Sequence, residues 1–117
     1  ASPEELTLML YNGLIKFIMI AQRAIEEKDI QKAHDNIIRA EDILHEFKAT
    51  LDMQYEVSHN LALLYDYFLD RLFEANIKKD ADILDEVLHF VRELRDTWAE
   101  AMKIAKQQNK KAVGAEK

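Results

Sequence analysis

Cysteine is absent from the 117 residues, proline occurs once and glycine twice. Without cysteine there are no disulfides, thiolate metal sites or sulfur nucleophiles, a composition compatible with a reducing compartment. The scarcity of proline and glycine argues against a chain of strands and tight turns, which would also need more β-branched residues. Positive charge is short as well. Sixteen basic residues stand against 22 acidic ones, a net charge of −6, which disfavours a general nucleic-acid binder because phosphates are recruited by a basic face.

What is present is helical periodicity. At 49% apolar and 32% charged residues, the chain suits one all-α domain with one core. Ser2-Pro3-Glu4-Glu5 reads as a helix start, with Ser2 as cap, Pro3 at the first helical position and Glu5 returning the capping-box bond. Helix 1 is expected from about Pro3 to Glu27. Asp29 caps a second helix with a seam of Ile30, Ala33, Ile37, Ala40, Leu44, Phe47 and Leu51. A break from Asp52 to Val57 leads into a third, with a seam of Val57, Leu61, Leu64, Tyr65, Phe68, Leu72 and Ala75, closing at Asn76. Asp80 caps a fourth along Ile83, Leu84, Val87, Val91, Leu94, Trp98, Ala101 and Ala105. The short connections imply an antiparallel up-down four-helix bundle over residues 1–106. Residues 107–117 read as a flexible basic tail.

The segment Leu6–Ile25 is more apolar than one bundle helix requires. At ~100° per residue its polar side narrows to Glu5, Asn12, Lys16 and Arg23. A core seam takes Leu6, Leu10, Leu14, Phe17, Ala21 and Ile25. Leu8, Ile15 and Met19 then fall on one flank, and Met9 and Ile20 on the other. On helix 3, Ala62, Leu69 and Phe73 project opposite the seam. Surplus apolar faces of this kind mark places where something binds; an irregular bundle or a homodimer would also cover them. Glu4 and Glu5 ahead of the apolar run, and Asn12, Lys16 and Arg23 within it, argue against a secretion signal and a membrane span. The default expectation is a cytoplasmic protein.

Nothing in the pattern argues for catalysis or a cofactor. Glu86-Val-Leu-His89 and Asp42-Ile-Leu-His45 resemble halves of a carboxylate-bridged metal site. His89 points away from the helix 4 seam, however, as Asp42 does on helix 2, and helices 1 and 3 offer no inward glutamate. The four histidines, His34, His45, His59 and His89, read as surface residues. Ser2 and Ser58 lack a histidine and acid arrangement. Gly13 lies mid-helix, where it costs ~1 kcal/mol relative to alanine and holds no phosphate. Tyr11, Tyr65, Tyr67 and Trp98, each an apolar body with a polar tip, suit either a core or the edge of a groove.

An ordered set of short segments resembles the flagellar secretion chaperone family FliS. It begins with Ser2-Pro3-Glu4-Glu5-Leu6 and Met9-Leu10-Tyr11-Asn12-Gly13. Arg39-Ala40, Leu51-Asp52, Asn60-Leu61 and Leu64-Tyr65-Asp66-Tyr67 follow. Arg71-Leu72, Glu74-Ala75-Asn76 and Glu93-Leu94-Arg95-Asp96-Thr97-Trp98 complete it, so the resemblance reaches about Ala105. It implies a non-enzymatic cytoplasmic export chaperone that binds the disordered C-terminal segment of flagellin, prevents early polymerisation and delivers it to the export gate. Together with the surplus faces it gives an expected client-binding set of Leu8, Met9, Tyr11, Ile15 and Met19 on helix 1, and Tyr65, Tyr67, Leu69, Phe73 and Asn76 on helix 3. The expected state is a monomer or weak dimer; the alternative is a homodimeric scaffold burying those faces in its own interface. Docking to the gate protein FlhA is associated in the family with a Tyr-containing segment ahead of the Ser-Pro start. Here the sequence begins one residue before Ser2, so gate docking is expected upstream and assigned to no residue. Leu69-Asp70 departs from the aromatic or basic residue common at that place.

Overall fold

The computed structural model describes residues 2–116, and side chains through Gly114. Ala1 and the tail's last residue, Lys117, lie outside the described residues. Four helices follow in order: α1 (Pro3–Glu26), α2 (Ile30–Thr50), α3 (Glu56–Lys78) and α4 (Ala81–Glu116). α1 begins where its cap sets it, the Ser2 hydroxyl accepting from the Glu5 amide at 3.2 Å. It stops because Lys28 turns left-handed, at φ 61°, letting Asp29 N–H reach back to Ala24 O at 2.8 Å. The Asp29 carboxylate then accepts from Lys32 N–H and starts α2. A single residue therefore closes one helix and opens the next, which forces the antiparallel hairpin.

The same device joins α3 to α4. Lys79 is left-handed at φ 50°, Asp80 N–H returns to Ala75 O at 3.1 Å, and Asp80 Oδ1 accepts from Asp82 N–H at 2.8 Å. α3 therefore runs past Asn76, its expected end, to Lys78. Asn76 does not take the left-handed position. Its side chain bonds instead to His34 on α2 and to the Lys79 ammonium.

Each helix packs on two neighbours: α1 on α2 and α4, and α3 on the same two, leaving α1 and α3 diagonal. The centre is filled by Leu14, Ile18, Ile37, Leu44, Phe68, Leu72, Leu84, Val87 and Val91, all fully buried. Each large aliphatic side chain there contributes about 1.5–3 kcal/mol by leaving water. Ile30, Val57 and Leu6, expected in the seams, are exposed, and each sits in the first turn of its helix. By length and composition α1 is apolar enough to cross a membrane. In the fold, Leu14, Ile18 and Ala21 are spent on the bundle core.

α4, at 36 residues against 24 for α1, is about 18 Å longer at 1.5 Å per residue. The Trp98 indole N–H donates to Glu4 O at 3.1 Å, tying α4 to the first turn of α1. Beyond it, Ala101 and Ala105 are exposed instead of sealing a seam, and the helix continues through the stretch read as a tail, as far as Glu116.

Candidate client-binding surface

The flank of α1 carrying Leu8, Ile15 and Met19 is where α4 docks. Along it Gln22 donates to Asp85 at 3.2 Å, Arg92 approaches the Met19 sulfur at 3.5 Å, and Arg95 donates to Asn12 at 2.8 Å. Ile15, expected outside the seam, lies between these contacts and is 7% exposed. The core stripe of α1 is thus Tyr11, Leu14, Ile15, Ile18, Ala21 and Ala24, rotated toward α4 from the expected seam. Leu8 is half-buried and Met19 exposed at the edges of the α1–α4 contact. On the opposite flank Met9 is exposed and Ile20 half-buried. There Gly13 faces Ile43 of α2, and the Arg39 guanidinium lies 5.6 Å over the Phe17 ring.

Tyr11 and Tyr65, expected at a groove, are buried at 6% and 3% exposure. Their hydroxyls meet at 2.8 Å, a bond that crosses the diagonal between α1 and α3. Phe47 of α2 packs on both rings, with centroids 4.6 Å from Tyr11 and 5.5 Å from Tyr65. Burial pushes both phenols above their ordinary pKa. In Tyr65 the hydrogen bond to Tyr11 adds to the rise, whereas in Tyr11 the bond to Tyr65 opposes it. Both stay protonated at neutral pH, so one hydroxyl donates and the other accepts, and each buried oxygen has a partner. Tyr11, Ile15 and Tyr65 thus belong to the scaffold and offer a client almost no surface.

On α3 the three residues expected to face outward divide, Phe73 being exposed while Ala62 and Leu69 are half-buried. Phe73 is 62% exposed and Leu69 half-buried against the core. Ile77, one turn beyond Phe73, is 69% exposed, and Ile38 of α2 is exposed as well. Two cross-helix contacts fix the level of these residues: Asn76 with His34 at 2.9 Å, and the Lys48–Asp66 ion pair. Antiparallel register between those points sets Ile38 beside Phe73. A depression of about 430 Å³ opens at the upper end, lined by His34, Phe73, Asn76, Ile77 and Lys79. Farther along α2 burial raises the Glu41 carboxyl above its usual value, Asp42 adding to the rise while His45 and His34 oppose it. The α2–α3 face is therefore an apolar strip with a polar margin.

Tyr67 stands on the other side of α3. It is partly exposed, but its hydroxyl donates to Glu86 of α4 at 2.7 Å, and Arg71 Nε donates to the same carboxylate at 2.7 Å. Arg71 also bonds Glu74, which Lys78 joins. The hydrogen bonds from Tyr67 and then Arg71 hold Glu86 below the ordinary carboxylate range. This network pins α3 to α4 and engages the glutamate of the Glu86–His89 motif. His89 instead meets Glu93 at 3.2 Å. Among the described residues no three histidines or carboxylates gather as a metal site would require.

Two exposed residues of the strip, Ile38 and Ile77, were absent from the expected set. Ile77 lies four residues past Phe73 and is hidden from the sequence only by closing helix 3 at Asn76. Ile38 stands next to the seam residue Ile37, on a helix in which no second apolar flank is apparent.

A four-helix bundle with a self-satisfied core, and an apolar strip along one helix pair, defines a helical binding scaffold. The family model described as flagellar protein FliS matches residues 1–105, and the chain belongs to that family. It is 45% identical over 102 residues to the flagellar secretion chaperone FliS of Bacillus subtilis (strain 168), covering 87% of this chain and 77% of the relative. It is 32% identical over 101 residues to that of Salmonella typhimurium, covering 84% and 75%. A solved structure titled as a flagellar chaperone from bacteria superposes with a TM-score of 0.80 at 18% identity, over 88% of this chain and 85% of the other. That likeness bears on the fold.

Proposed function

We propose that the protein is a cytoplasmic flagellar secretion chaperone, that its client is the disordered C-terminal segment of flagellin, and that the α2–α3 face is the principal seat of that client. The observation that carries this reading is the strip of Ile38, Phe73 and Ile77, exposed apolar side chains outside the core, with Leu69 half-buried at its inner edge. An amphipathic segment that is disordered alone folds as a helix when its apolar side is laid on such a strip. Such binding typically buries ~1,000–3,000 Å² and spends ~2–5 kcal/mol on ordering the client. The net interaction is then modest for its area, which suits a partner that must be released for export. While bound, the client's apolar side is withheld from other monomers, and polymerisation is delayed. Met9 and Met19 extend the apolar surface around α1 as secondary contacts. Delivery to the gate protein FlhA is the later step of the same pathway.

Titration calorimetry with a flagellin C-terminal peptide tests the proposal. The expected result is one peptide per chain with a strongly negative heat-capacity change. No heat and no anisotropy change at about 100 µM peptide, a concentration at which even ~5.5 kcal/mol of binding would register, refutes it. Sedimentation of the free protein separates this from self-association, since a dimer stable to dilution would mean that the strip is covered by a second copy.

A further inference from the structure

The end of α4 carries a feature that the client strip does not use. Between Lys103 and Lys111 lie four of the chain's sixteen basic residues and none of its 22 acidic ones. Lys103, Lys106 and Lys110, spaced three and four apart, share one face of the helix. They border a depression of about 420 Å³ together with Leu8 of α1, Ala99 and Met102. Leu8, Ala99 and Met102 are half-buried and the three lysines exposed. None of those lysines makes an ion pair or a side-chain hydrogen bond among the described residues. Glu4 borders an adjoining depression with Met102 and Lys106 but pairs with none of the three lysines, and unpaired lysines beside an apolar floor, on a helix that projects beyond its neighbours, select a partner by charge as well as by area.

We propose that this trough is a second docking surface, distinct from the α2–α3 strip, and that it takes an acidic amphipathic helix of a partner protein. Such a helix would set one or two apolar side chains on Leu8 and Met102 and align carboxylates three and four residues apart with Lys103, Lys106 and Lys110. Charge argues against a second copy of this chain meeting it face to face, because a twofold axis would set lysines against lysines. The flank of Leu8 that the surplus reading assigns to the client is, on this view, the floor of a different site.

The test uses the full chain and two synthetic helical peptides. One has a leucine stripe flanked by glutamates three and four residues apart, and the other has glutamine at those positions. Fluorescence anisotropy at about 50 mM salt should show the glutamate peptide binding roughly tenfold tighter, an advantage that shrinks several-fold at about 500 mM as charges are screened. The combined variant Lys103→Gln, Lys106→Gln and Lys110→Gln should abolish the difference while leaving the circular-dichroism melt unchanged. Saturation with the flagellin peptide should leave the glutamate peptide bound. Equal binding of both peptides, no binding of either, or a preference that survives in the lysine variant overturns the proposal. So does binding of phosphatidylserine vesicles in place of the peptides, which would make the lysines a membrane contact. Failure here leaves the client titration standing, because that reading depends on residues of α2 and α3.

Discussion

Removing one hydroxyl from the Tyr11–Tyr65 pair should harm the protein more than removing both. The hydroxyls are 2.8 Å apart, their residues are 6% and 3% exposed, and neither has another hydrogen-bond partner among the described residues. In Tyr11→Phe the Tyr65 hydroxyl is left buried and unpaired, a loss of about 1–3 kcal/mol. Tyr65→Phe should cost about the same for the mirror reason. In the double variant no polar group remains to be satisfied, and replacing both partners by apolar groups of the same shape is close to neutral. The cycle therefore predicts a coupling of about 2–6 kcal/mol in magnitude, the sum of the two single losses. With a urea m-value of about 1–3 kcal/mol/M for a small domain, each single variant should shift the midpoint by roughly 1 M. Additive losses in the double variant would refute the closed-pair argument, as would a single variant as stable as the parent.

The same pair predicts an alkaline transition. The folded-state phenol pKa values are raised by burial, so above the unfolded value of about 10 the unfolded chain releases protons that the native chain keeps. Stability is fully present below that pH and falls above it by at most about 1.4 kcal/mol per pH unit for each tyrosine; urea midpoints of the double phenylalanine variant should fall less steeply. Leu14→Asp and Ile15→Asp should both unfold the bundle, since each buries an uncompensated carboxylate; a native helical spectrum for Ile15→Asp would show that α4 does not cover that flank. Phe73→Asp should weaken flagellin-peptide binding tenfold or more, about 1.4 kcal/mol, with little change in melting temperature; unchanged affinity would remove the α2–α3 strip as the seat. Gly13→Ala should stabilise by about 0.5–1 kcal/mol through helix propensity, because its Cβ would meet Ile43 Cδ1 at 3.5 Å, an ordinary contact. A lower thermal midpoint would mean that α2 approaches more closely than that distance indicates.

The number and order of the helices were legible because their boundaries are written in local chemistry. Ser2 and Asp29 cap α1 and α2 through their own side chains, and Asp80 Oδ1 accepts an amide at the start of α4. The end of α3 was not legible, since lysine is a poor indicator of a left-handed residue and Asn76 a good one. What decided between them was tertiary: Asn76 is bonded to His34, so the chain turns at Lys79 instead. The outward position of Phe73 was recoverable from helical counting alone, and Ile77 would have joined it had the helix been given its full length; Leu69, on the same count, is half-buried against the core.

The misplacement of Ile15 has a more general cause. In a square bundle each helix meets two neighbours, so its buried stripe spans more than a two-helix seam, from the face toward one neighbour round to the face toward the other. For α1 that arc runs from the Phe17 side, against α2, through Leu14 to Ile15, against α4. Periodicity shows the width of an apolar arc, but its centre is set by where the neighbours stand, and that information lies in Arg92, Arg95 and Asp85 on a helix some seventy residues away. Apolar width on α1 is therefore weak support for a binding site until the neighbours are placed. On α3 part of the corresponding apolar face remains outside after both neighbours are in position. Phe73 and Ile77 are exposed despite α2 and α4, and that remainder, not hydrophobicity itself, is what favours the α2–α3 face as a binding surface.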